Sequence, residues 1–322
     1  MRRVLFLTED REDYLADGLL HGLIGRDDLS VVDYPRKGVL YRDGRGGQGG
    51  GLGIRGGGFT LYGLLADRAV DRSFVIQRLE RGGFDLVVLG QVWRQWGQLL
   101  DLAPWLQTVP VVLLDGDDDP RLFFRSGTRL RRYGWQPFPI RSRRCLYLKR
   151  EWMGQGRSLR RPQVAEASFA IPAAKTLAAD PAAKTQEFAT HCVDPEVGAA
   201  LGLPGHHAFA SEAAYYADLA RSRFAITTRR GGWDCLRHYE IAAAGAVPCF
   251  RNLEAKPATC APHGLRSGLN CLSYRDWSDL QKQVVEISPA AYERLVEGAQ
   301  AWVRGHTTAA AAARLLALVD RL

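Results

Sequence analysis

Long hydrophobic runs are missing from the sequence. The longest apolar stretches, Val109–Leu114 and Ala309–Ala313, fall far short of the roughly 20 residues that span a bilayer, so a transmembrane helix is excluded. The start, Met1-Arg2-Arg3 and then only Val4–Leu7 before Glu9-Asp10, lacks the apolar core of a signal peptide. Close cysteine pairs are also missing. Cys145, Cys192, Cys235, Cys249, Cys260 and Cys271 form no CxxC and have no His-rich run beside them, which argues against a disulfide framework or structural zinc and for a reducing cytoplasm. Lysine is scarce, since 37 of the 43 basic residues are arginine. What remains is a globular composition, 46% hydrophobic and 24% charged over 322 residues, enough for two ordinary domains.

Acidic residues are nearly absent from one segment. Between Arg121 and Arg161 stand twelve arginines, Lys149 and a single acid, Glu151, a local +12 within a net charge of +8. Arginine-rich coding explains Arg over Lys but not the missing acids. Such a block suits a polyanion.

Short apolar runs alternate with helical patterns. Val4–Leu7, Val31-Val32, Asp85–Leu89 and Val109–Leu114 read as buried strands, separated by helical stretches around Tyr14–Leu23, Phe74–Leu79 and Trp93–Leu106. A second series follows: Glu187–Val193, a helix over Ser211–Arg221, a strand over Arg223–Thr227, a helix over Cys235–Ala244 and a strand over Ala246–Phe250. Three helices are expected from Trp277 to the end, the last over Thr308–Leu322 with an N-cap at Thr307-Thr308. The pattern implies an α/β protein with two doubly wound, Rossmann-like domains facing a cleft, divided at about 160/161. Ligands of such sheets lie beyond the carboxyl ends of the strands. Attention therefore falls on Thr8–Asp13, Gly90–Trp93, Asp115–Asp119 and Thr228–Asp234.

The segment from Ser222 to Phe250 carries most of the functional signal. A strand ends in Arg229-Arg230-Gly231-Gly232 and a helix begins near Asp234. Glycines admit a close backbone approach, the helix start offers free N–H groups, and two arginines add charge for a diphosphate. Arg237 and Glu240, three apart, share a helix face, where Glu240 can accept from vicinal hydroxyls while Arg237 meets phosphate. An isolated pair of this kind is otherwise a surface ion pair worth a few tenths of a kcal/mol. Gly245 ends the helix and Val247-Pro248 opens the next strand.

Arg-x-x-Glu, an Ala-rich helix, Gly and a strand beginning Val-Pro resemble the donor-binding signature of GT-B glycosyltransferases, in particular the exostosin-like and spore-maturation-type bacterial enzymes. Lys149-Arg150-Glu151 and Ser168–Pro172 resemble, more weakly, the segments that lead into their second domain. The resemblance implies a hexosyltransferase-type enzyme, and the cysteine usage a cytoplasmic one. Its N-terminal domain would face the acceptor, and its C-terminal domain would hold a nucleotide sugar as co-substrate without a divalent metal. It implies that Glu240 holds the ribose and that Arg237, Arg229 and Arg230 neutralise the leaving nucleoside diphosphate. It also implies a final helix that crosses back to the first domain. One position departs from it: eight residues before Glu240, where many retaining members carry a first glutamate, stands Gly232. A retaining mechanism is therefore not carried over.

Other motifs stay open. Asp115-Gly116-Asp117 suits a metal-dependent GT-A transferase, an acceptor-side base or a solvated turn, and Asp13 and Asp10 are further base candidates. The glycine-rich run Gly44–Gly58, with Arg45 and Arg55, reads as a phosphate or acceptor loop, or as a surface insertion. His21, the adjacent His206 and His207 near Cys192, and Trp93, Trp96, Trp105 and Trp135 read as structural. The acceptor is expected to be anionic, a phosphorylated glycan, a lipid head group or nucleic acid. The rival from another class is a nucleic-acid-binding or DNA-modifying protein that uses the basic segment.

Overall fold

The computed structural model describes residues 1–43, 58–154, 162–203 and 209–322. Arg45, Arg55, His206 and His207 lie outside the described residues.

Six parallel strands form the first sheet: β1 (Arg2–Leu7), β2 (Leu29–Tyr34), β3 (Leu86–Leu89), β4 (Val111–Asp115), β5 (Cys145–Lys149) and β6 (Gln163–Glu166), in the order β2-β1-β3-β4-β5-β6. Their near-continuous apolar composition follows from burial on both faces. Val4, Phe6, Leu86, Val88, Val112 and Leu114 face one core, and Leu5, Leu7, Val87, Leu89, Val111 and Leu113 the other. Helices α1 (Tyr14–Ile24), α2 (Val75–Glu80), α3 (Val92–Leu102) and α4 (Gly127–Tyr133) connect them. The second sheet holds β7 (Gln186–Phe188), β8 (Ser222–Thr227), β9 (Val247–Arg251) and β10 (Leu272–Tyr274), parallel and ordered β10-β9-β8-β7. Its helices are α5 (Pro195–Leu201), α6 (Glu212–Arg221), α7 (Leu236–Ala243), α8 (Trp277–Glu286), α9 (Pro289–Arg304) and α10 (Thr308–Val319).

The first sheet runs past residue 160, because β6 pairs with β5. The last helix, α10, packs on α1 of the first sheet. A Cβ on Gly22 would lie 2.0 Å from the Thr308 carbonyl oxygen, so only glycine lets the two backbones meet there. His21 Nδ1 sits 3.0 Å from Thr308 Oγ1, which gives that histidine a structural partner. Trp96 is fully buried, whereas Trp135 is 82% exposed and not a core residue as expected. Among the described residues, no helix is long and apolar enough to cross a membrane. All six cysteines are free thiols, five of them buried.

Candidate active site

The carboxyl ends of the two sheets face each other across a cleft of about 1040 Å³. On the second-sheet side, β8 delivers the chain into the turn that starts α7. Arg237, in the first turn of α7, is 7% exposed. Its Nη1 donates to the His191 carbonyl at 3.3 Å, and its guanidinium lies 5.8 Å from the Tyr215 ring centroid. No carboxylate among the described residues comes within 4.0 Å of it, so the ion pair with Glu240 that the spacing allows does not form. Burial lowers the Arg237 pKa to about 10, which leaves it cationic at neutral pH. Glu240 nearby offsets that effect only in part, so a buried guanidinium with no carboxylate within 4.0 Å among the described residues opens on the cleft, an arrangement suited to an anion that arrives from outside.

Glu240 is 8% exposed and lines the same wall. Tyr215 OH donates to its Oε2 at 2.7 Å and Thr60 Oγ1 to its Oε1 at 2.5 Å. Both oxygens therefore accept from hydroxyls, the chemistry expected of this residue, although here the hydroxyls belong to the protein. Arg230 is exposed and lines the cleft, whereas Arg229 lies 5.1 Å over the Trp233 ring and is not part of the lining.

Gly231 and Gly232 do admit a close approach, but to the first domain. A Cβ on Gly231 would stand 2.0 Å from Asp118 Oδ2, and one on Gly232 would stand 2.4 Å from Glu151 Oε1 and 2.7 Å from Asp118 Oδ1. Those carboxylates, Glu151 buried and Asp118 exposed, meet the buried Arg150 at the cleft floor. Arg150 Nε donates to the Gly116 carbonyl at 3.1 Å, Nη1 to Glu151 Oε1 at 2.6 Å and to the Asp234 carbonyl at 2.9 Å, and Nη2 to Asp118. Asp234 accepts from Phe169 N and Tyr239 OH, both at 2.8 Å.

On the first-sheet side, Asp13 caps α1 by accepting from Ala16 N at 3.1 Å and is held by Gln91 Nε2 and Arg94 Nη2, both at 2.9 Å. Asp117 is partly exposed, lines the cleft, and has Oδ1 turned to Asp119 N at 2.9 Å. Asp115 is 0% exposed and corrects the expectation that it acts as base or metal ligand. Lys149 Nζ at 2.7 Å, Trp93 Nε1 at 2.9 Å and the Tyr147 hydroxyl saturate it. The same lysine also donates to the Asp117 carbonyl at 3.0 Å. Among the described residues, no group of three or more His, Cys, Asp or Glu could hold a metal ion.

The basic block does not form the cleft. Of its described arginines only Arg150 lines it, while Arg125, Arg131, Arg132, Arg143 and Arg144 are exposed elsewhere. Sequence reasoning missed Thr60, Tyr215 and His191, whose sequences carry no charge pattern, and gave no role to Arg150, whose position after a buried run was its signal.

Next to Arg237, His238 is fully buried, with Nδ1 2.7 Å from Thr227 Oγ1 and Nε2 2.9 Å from the Trp233 carbonyl. Burial pushes the pKa of His238, His263 and His306 down to about 4. An unfolded histidine titrates near about 6.5, so between that value and 4 the unfolded chain holds protons that the fold refuses, and stability falls as pH falls. Burial raises Asp234 and Asp17 to about 6, and these two carboxyls work in the opposite sense, gaining stability below pH 6. Burial also lowers His21 and raises Glu9 and Asp115, so the net slope is a difference between opposing sets. His238→Gln removes one imidazole from the first set and should therefore lose less melting temperature than wild type between pH 7 and pH 5 in calorimetry across the range. An unchanged profile in the variant would sink the assignment.

Solved structures resemble this chain along its full length. They include HepE from Anabaena in complex with UDP and glucose (11% identity, TM-score 0.53, all of both chains). Another is a glycosyltransferase from Rickettsia africae (9% identity, TM-score 0.57, 99% of this chain and 98% of that one). A third is sucrose-phosphate synthase from Thermosynechococcus elongatus (10% identity, TM-score 0.51, 100% of this chain and 99% of that one). At such identities the likeness shows the fold, which is GT-B. No family model and no curated protein matches the chain.

Proposed function

We propose that this GT-B chain is a nucleotide-sugar-dependent glycosyltransferase, of hexosyltransferase type, whose donor diphosphate is gripped by Arg237. The observation that carries the reading is that guanidinium: buried, without a carboxylate partner among the described residues, and opening on the interdomain cleft beside Glu240. HepE, a structural neighbour, has been crystallised with UDP and with UDP-glucose, which supports a nucleoside diphosphate as the anion.

In this reading the second domain, which follows β6, holds the donor and the first holds the acceptor. Glu240 takes ribose hydroxyls, and Arg237, Arg230 and the α7 N-terminus take the charge that develops as the sugar–diphosphate bond breaks, so no metal is required. The acceptor oxygen bonds to the anomeric carbon and passes its proton to a carboxylate on the facing wall. Asp117, with one oxygen not bound to the backbone, suits that role, and Asp13 orients α1 and Arg94 instead. The facing wall carries Asp10, Glu12, Asp13, Asp117 and Asp118 against Arg11, Arg94 and Arg150. Arg94 and Arg150 are already paired with carboxylates. The acceptor thus enters as a hydroxyl compound, and any anionic part of it is met outside the cleft, on the exposed arginines and Trp135. The free thiols accord with a cytoplasmic location.

A thermal-shift panel of UDP, GDP, ADP and CDP with and without Mn²⁺ tests this. One diphosphate is expected to raise the melting temperature by several degrees at about 100 times its Kd, equally in both conditions. A nucleic-acid-binding scaffold would ignore all four and bind DNA with steep salt dependence. Stabilisation only with Mn²⁺ would overturn the metal-free grip.

A further inference from the structure

Thr60 belongs to the first domain yet is buried against the second. It is 0% exposed, and its backbone has φ 78°, a left-handed conformation that a β-branched residue adopts only under constraint. Among the described residues, its side-chain partners lie on helices of the second domain. Thr60 N donates to Glu212 Oε1 at 2.7 Å, and Thr60 Oγ1 donates to Glu240 Oε1 at 2.5 Å while lying 2.9 Å from Tyr216 OH. A hydroxyl donates once, so Tyr216 OH supplies the proton of that last contact. Beside it, Phe59 stacks on Tyr215 with ring centroids 6.1 Å apart.

A ribose hydroxyl bound by Glu240 would show the same pattern, donating to the carboxylate and accepting from the tyrosine. From this match and the strained backbone we propose that Thr60 occupies the hydroxyl subsite of the donor nucleotide, so that a nucleotide binds only by displacing it. The residue at position 60 then sets donor affinity. Release of Thr60 also frees an interdomain contact, which couples donor arrival to the relative freedom of the two domains. The inference rests on the donor-site reading of Glu240 given above. Displacement lowers the apparent affinity of the wild type by the fraction of molecules in which the subsite is clear.

The test is isothermal titration of wild type, Thr60→Ala and Thr60→Ser with UDP, GDP, ADP and CDP, alongside calorimetric stability with and without saturating diphosphate. Thr60→Ala is expected to bind the preferred diphosphate about 5- to 10-fold tighter than wild type. Thr60→Ser, which keeps the hydroxyl, should bind much as wild type does. Any stability lost in Thr60→Ala should shrink once diphosphate is saturating, because the bound wild type has given up the same contact. Equal or weaker binding by Thr60→Ala, with a stability loss that persists in the bound state, overturns the occupancy and leaves the donor site standing. Binding of no diphosphate by any of the three proteins overturns the donor-site reading and this inference with it.

Discussion

Arg237→Ala is expected to weaken nucleoside diphosphate binding by about 100-fold or more while leaving the free protein as stable as wild type. The binding loss follows from charge-assisted hydrogen bonds, worth about 1.5–3 kcal/mol each. The unchanged stability follows from what the side chain lacks. It makes one 3.3 Å bond to a carbonyl and has no carboxylate partner among the described residues, so the fold carries its desolvation cost without a compensating pair. Removing it relieves that cost and gives up the 3.3 Å bond, the Tyr215 ring contact and the attraction of Glu240, contributions of opposite sign that largely offset. Glu240→Ala should behave differently, since it strips the acceptor from Tyr215 and Thr60. Loss of two buried hydrogen bonds to a carboxylate costs about 1.5–3 kcal/mol each, and binding falls as well. Titration calorimetry for affinity and scanning calorimetry for stability separate the two. Wild-type affinity in Arg237→Ala would end the assignment, and a large stability loss would show the arginine to be a structural member of the wall.

The contrast between these residues also marks what could be read from the sequence. Strands β1, β3, β4, β8 and β9 are apolar runs bounded by turn residues, and local pattern suffices for them. So does α7, whose Arg-x-x-Glu spacing places both side chains toward the cleft. Strand β5 is not legible in the sequence because it ends in Lys149, with Arg150 next, and both look exposed until Asp115, 34 positions from Lys149, is seen to pair with the ammonium. For the same reason Asp115 looks like a ligand in sequence and is a saturated core residue in the fold. The hydroxyl partners of Glu240 come from residues 180 and 25 positions away. The paired glycines were legible as a place of close approach, but not as the place where two domains meet.

That meeting point supplies the second large effect. Arg150→Met should cost about 3–5 kcal/mol of stability, the range for breaking a buried charge network by removing one member. Arg150 is 2% exposed and gives its donors to Gly116, Glu151 and Asp118 on its own side and to the Asp234 carbonyl across the boundary. Methionine fills much of the volume but leaves Glu151, itself 3% exposed, as a buried anion without its cation. Glu151 also accepts from Asp234 N at 2.9 Å, a bond that glutamine can keep. The double variant Arg150→Met/Glu151→Gln should therefore regain about 1–3 kcal/mol relative to Arg150→Met alone, as coupled neighbours do. Chemical denaturation of the four proteins in the cycle measures it. Strictly additive costs would show that the guanidinium does not neutralise Glu151, and that the floor of the cleft is held by packing of Phe169 and Trp233 rather than by charge. A recovered double variant would place the electrostatic joint between the domains at the start of α7, one turn from Arg237.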